Sequence, residues 1–207
     1  MSSFPIRDPQ TDHLLTPQNA TLVIIDFQPT QIESSISMNR QNLVKNILAL
    51  ATLCLEFKMP IVLTTVGVQQ GSNKPTIPPL ANALKGVPTY DRTSINSWED
   101  EQFRAAVIAT NRKKIIMAAL WTEACLSFPT LDMLREDFEI YPVVDATAGT
   151  SQQAYKAALS RVVQAGAKLT SVVQVACELQ RDWNRNATNP IMVKALTAMG
   201  AFLPLEA

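Results

Sequence analysis

One histidine, His13, occurs in a chain of 207 residues, and it lies in a polar N-terminal stretch. Metal sites that need two or three imidazoles are thereby excluded, as is a Cys/His pair unless His13 folds far back. Neither a metal nor any other cofactor is expected. Cysteine is scarce as well. Cys54, Cys125 and Cys177 are odd in number and widely spaced, which suits reduced thiols in a cytoplasm. No C-x-x-C is present, so a paired redox motif is missing. No G-x-G-x-x-G follows the first apolar run and no G-x-x-x-x-G-K-[ST] occurs anywhere, which weakens any nucleotide-binding reading. An excess of either charge is also absent. Eighteen basic residues balance eighteen acidic ones without a basic run, which argues against nucleic acid or an anionic membrane as partner. No apolar stretch approaches membrane-spanning length. The start, MSSFPIRDPQ, has no charged segment leading into an apolar one, so no signal peptide and a cytoplasmic location are expected.

What is present is apolar and of globular size. Hydrophobic residues make up 47 % and charged ones 17 %. That is enough for one domain over 1–207, with an irregular arm at 1–20 and a tail at 184–207 suited to a subunit contact. Low surface charge with much apolar surface points to a homo-oligomer.

The chain is organised around Lys113 to Phe128, KKIIMAALWTEACLSF. Ile115 to Leu120 has the length and branching of a buried parallel strand. Thr122 and Glu123 then read as a helix start, which places Cys125 in the first turn. There, orphan N–H groups and the helix dipole favour thiolate over thiol. The alternative is a cysteine serving as a small core residue, the commoner fate of that side chain.

Four further strands are expected: Thr21 to Ile25, Ile61 to Thr65, Glu139 to Val144 and Ala167 to Ser171. Asp26 ends the first of them. It fits either chemistry at the carboxyl end of a sheet or a cap of the turn at Pro29. Helical periodicity covers 39–58, with Cys54 on the apolar stripe, then Glu99 to Thr110, the residues after Cys125 to about Glu136, Ser151 to Ala165, Val172 to Arg181 and Ile191 to Ala201. The polar segment from Val66 to about Ser97 is too long for a plain connection and reads as a lid or an oligomer contact. Alternation of strand and helix gives a three-layer α/β/α sandwich around a mostly parallel, Rossmann-like sheet of five to six strands.

Three separated motifs, LVIIDFQ (22–28), Arg92 to Trp98 leading into Glu99–Phe103, and Ile115 through WTEACLSFP to VVDATAGTS, resemble the isochorismatase-like cysteine hydrolases. The resemblance spans roughly 20–183. It implies an Asp–Lys–Cys triad in which Asp26 is the base and Cys125 the nucleophile. It also implies a cis peptide at Leu120–Trp121, an oxyanion hole from the Trp121 and Cys125 N–H groups, and substrate contacts from Phe27, Gln28, Asn96 and Trp98. The implied activity is hydrolysis of a small C–N amide through a thioester. Counting back six residues from Trp98, the family's lysine falls on Arg92, which keeps the charge but cannot shuttle a proton. Arg92 is expected beside Asp26 and Cys125. The histidine-bearing metal motif of nicotinamidases has no counterpart after the second strand. A peroxide-sensing thiol and a catalytically silent oligomeric member remain as alternatives.

Overall fold

The computed structural model describes residues 7–201; the first part of the expected arm and the end of the tail lie outside them. Among the described residues, five parallel strands form one sheet: β1 (Ala20–Ile25), β2 (Ile61–Val66), β3 (Thr89–Arg92), β4 (Lys114–Ala119) and β5 (Glu139–Pro142). Their order is β3-β2-β1-β4-β5. Eight helices flank it: α1 (Pro29–Ser34), α2 (Arg40–Glu56), α3 (Pro78–Ala83), α4 (Glu101–Ala109), α5 (Ser127–Arg135), α6 (Gln152–Gln164), α7 (Val172–Gln180) and α8 (Asn189–Met199).

Alternation along the central strands sets the layers. On β1, Leu22 and Ile24 face a core shared with α2, α7 and α8, among them Leu43, Leu50, Val175 and Leu196. Val23 and Ile25 face the opposite core, built with Phe103 of α4, Met133 of α5 and Val162 of α6. Every residue of β1 and β4 is buried. That explains why these strands are continuous apolar runs rather than alternating ones. The helix starts follow from side-chain caps: Asn39, Asp100, Ser151 and Ser171 each accept a backbone N–H of their own first turn.

Two expectations are corrected. The segment from Val66 to Ser97 contains α3 and the edge strand β3. β3 is four polar residues, TYDR, of which only Arg92 is buried, and as an edge strand it carries no apolar signal. Ala167 to Ser171, expected as a strand, lies beside β5 through the Lys168–Ile140, Thr170–Pro142 and Val144–Thr170 backbone hydrogen bonds, but forms only the isolated bridge Val143–Thr170 and no full strand.

The order of strands places the switch point between β1 and β4. The chain builds outward from β1 through β2 to β3, then crosses back to add β4 on the other side. Ligands of open α/β sheets bind at the carboxyl ends of the strands flanking such a point. Asp26 follows β1, and the turn carrying Cys125 follows β4.

Candidate active site

Asp26 leaves β1 at φ 60°, a left-handed conformation that Asp tolerates better than most L-residues. Its N–H donates to Thr64 O at 3.1 Å, so the end of β2 holds its backbone. Its side chain is fully buried. Arg92, the last residue of β3, reaches across the end of β2 to meet it. Nη1 donates to Asp26 Oδ1 and Nη2 to Oδ2, both at 2.7 Å, a two-pronged pair with neither side chain exposed. Nη1 also donates to Thr65 O (3.1 Å) and Thr64 Oγ1 (3.3 Å), and Nη2 to Ile95 O (3.4 Å). One guanidinium thus joins the carboxyl ends of three strands.

Cys125, 8 % exposed, completes the cluster. The turn that carries it differs from the expected helix start. Thr122–Leu126 is a π-helical turn, and α5 begins only at Ser127. Thr122 caps nothing; its hydroxyl pairs with that of Thr147 at 3.4 Å. The expected thiolate is corrected with it. Burial, then the neighbouring Asp26 carboxylate, push the Cys125 thiol up to about 12, against the pull of Arg92 and of the Trp121 N–H. A thiol that donates to a carboxylate is favoured over a thiolate facing one. The resting sulfur therefore carries its proton. The Leu120–Trp121 peptide bond is cis, and the Trp121 N–H lies near the sulfur, where it pulls the thiol pKa down.

Asp26, Arg92 and Cys125 are brought together; four other candidates are engaged elsewhere. Phe27 is buried in the core on the α2 side. Gln28 has its amide spent on Val66 N, Val66 O and Lys74 O. Asn96 caps the turn at Trp98 and donates to Asp132 at 2.7 Å. Trp98 packs edge-on against Phe103 and Phe138 and donates to Glu136. These are the internal contacts of the four side chains expected to touch substrate. Sequence reading missed Thr64 and Thr65, which support Arg92. The Thr147–Thr150 segment, part of the VVDATAGTS motif, backs the same turn: its Ala148 O accepts the Thr122 N–H at 2.9 Å.

The comparison with known families decides the matter: the isochorismatase domain matches residues 20–174. The chain belongs to the isochorismatase family. Within it, the chain is similar to the probable hydrolase YcaC of Escherichia coli, 34 % identical over 173 residues covering 83 % of each chain. A crystal structure of E. coli YcaC, described as an octameric hydrolase of unknown specificity, superposes with a TM-score of 0.84 at 32 % identity, covering 91 % of this chain and 92 % of that one. YcaC of Pseudomonas aeruginosa, solved with hexane-2,5-diol and covalent acrylamide, gives 0.83 at 33 % identity, covering 91 % and 95 %. In this family member, no group of three or more His, Cys, Asp or Glu among the described residues is placed to hold a metal ion.

Proposed function

We propose that this isochorismatase-family protein is a cysteine-dependent hydrolase of a small, non-peptide C–N amide, with Cys125 as nucleophile and Asp26 as general base. The observation that carries the reading is the buried, two-pronged Asp26–Arg92 pair set against the Cys125 thiol. Arg92 stays charged through the cycle, so Asp26 is the group that takes the proton. Each Asp26 oxygen keeps a lone pair free while bound to Arg92, which leaves room for the thiol. As sulfur attacks the amide carbon, its proton passes to Asp26. The negative charge that develops on the carbonyl oxygen is received by the Trp121 and Cys125 N–H groups. Collapse breaks the C–N bond, and the amine leaves with the proton from Asp26. A water, deprotonated by the same carboxylate, then cleaves the thioester and returns the thiol and an acid.

Covalent acrylamide on a relative 33 % identical supports a nucleophile that reacts with small amide-bearing molecules. The protonated, buried thiol weighs against peroxide sensing, which needs an accessible thiolate. The octamer described for E. coli YcaC supports a homo-oligomeric, soluble protein. Ammonia release from a panel of small amides, run beside Cys125→Ser, tests the function. Release that survives the substitution, or no release together with no acyl adduct on Cys125, would sink it.

A further inference from the structure

The proposed chemistry leaves Glu123 unused, although it lies two residues from the nucleophile. A π-helical turn is wider than an α-turn and is held here by i→i−5 bonds such as Leu126 N–H to Trp121 O at 3.2 Å; contacts from outside can fix it further. Glu123 provides one. Its Oε1 accepts the Thr150 N–H at 2.9 Å and the Thr150 hydroxyl at 2.5 Å. Its Oε2 is buried and has no hydrogen-bond partner. It lies against Gly149, where a Cβ would run into it and meet Tyr155 Cα at 3.4 Å. Gly149 cannot back away. Its N–H donates to Ser37 Oγ at 2.9 Å, and its carbonyl accepts the N–H groups of Ile36 (3.1 Å) and Ser37 (3.2 Å). A carboxylate oxygen left buried and unpaired costs stability. The contact is therefore better suited to fixing geometry than to adding stability.

We propose that Glu123 is a positioning residue: with Thr150 and the close approach at Gly149, it latches the turn that carries Cys125 and keeps the sulfur in line with its N–H donors. This rests on the reading of Cys125 as nucleophile. The strongest charges on the sulfur are those of Asp26 and Arg92, so the latch works by geometry. Glu123→Gln, which keeps the accepting oxygen, therefore preserves it, whereas Glu123→Ala releases it.

Acrylamide on the full chain is the probe, with adducts on the three cysteines followed separately by mass spectrometry. Cys177, exposed, is the internal reference, and Cys54, buried, reports unfolding. Glu123→Ala is expected to slow the Cys125 adduct about tenfold or more, with Cys177 unchanged and Cys54 unreacted. Glu123→Gln restores most of the rate. Gly149→Ala slows Cys125 as Glu123→Ala does, and the double variant is no slower than either, because both act through one contact. An unchanged Cys125 rate in Glu123→Ala overturns the proposal. Should that variant expose Cys54, Thr150→Val decides, since it removes only the hydroxyl donor; an unchanged rate there overturns the proposal equally. No Cys125 adduct in the wild type would instead overturn the nucleophile itself, and the latch with it.

Discussion

The two ends of the sheet each bury a cation and satisfy it in opposite ways. At the carboxyl end, Arg92 is held by the Asp26 carboxylate and lies beside a thiol. At the amino end, Lys114, the first residue of β4, is held by neutral groups. Its Nζ donates to the carbonyls of Asp12 (2.6 Å), His13 (2.7 Å) and Leu14 (3.2 Å), pinning the N-terminal arm against the sheet. Burial draws its ammonium below the usual lysine range. The amino end also carries a cavity of about 800 Å³, lined by residues such as Arg7, Asp12, Glu56 and Arg181. What distinguishes the carboxyl end is a thiol set against a carboxylate, the pair through which the proposed chemistry moves a proton. The carbonyl cage around Lys114 has nowhere to send one. His13, the single imidazole, sits at this inert end, bonded to Arg7 and exposed.

Breaking each cation separately tests the contrast. Arg92→Ala strands a buried carboxylate and is expected to cost about 3–5 kcal/mol, read as a fall in urea midpoint. Adding Asp26→Asn should recover much of that loss while leaving Cys125 unreactive. If Arg92→Ala is neutral, the pair contributes nothing to the fold. Lys114→Met strands carbonyls rather than a charge, so about 1–3 kcal/mol is expected. Acrylamide labelling of Cys125 should be unaffected, and a labelling change as large as that in Arg92→Ala would erase the distinction between the two ends.

The thiols add a pH dependence. Burial raises Cys54 and Cys125 from the ordinary 9.0 to about 12. A group whose folded pKa is raised contributes stability that is complete below the unfolded value and is lost as pH climbs toward the folded one. Stability should therefore fall between about pH 9 and pH 12, and Cys125→Ser should flatten that decline, as urea midpoints across the range will show. The smallest effect belongs to Cys177, which is exposed. Cys177→Ser should change stability by no more than about 0.5 kcal/mol, and a larger loss would mean that α7 is covered by another subunit there.

What could be read in the sequence depended on burial. β1, β2 and β4 were legible because they are largely buried and their residues are mostly apolar. β3 was not, since an edge strand needs few apolar side chains. Asp26, Arg92 and Cys125 could be found from motif and spacing. Trp98 and Gln28 share a feature that the sequence does not show. Residue type says that a side chain can bind something, and only the fold says whether Glu136 or Val66 has already taken it. The thiol state was misjudged because a helix start is local in sequence, whereas the carboxylate facing the sulfur comes from a strand about a hundred residues earlier. The Glu123–Gly149 contact was invisible for the same reason: it joins segments that adjoin only once β4 and the residues beyond β5 lie side by side.

The guanidinium of Arg92 also has a mechanical consequence. Edge strands ordinarily fray first, and their amides exchange with solvent through small local openings. Here β3 ends in the side chain that grips Asp26, Thr64 and Thr65, so peeling β3 away means pulling the charge pair apart. In deuterated solvent, the Arg92 and Gly67 amides at this edge should be guarded as strictly as those of β1. The same amides should lose that guard together in Arg92→Ala. The rim of the sheet then reports, amide by amide, whether the Asp26–Arg92 pair is assembled.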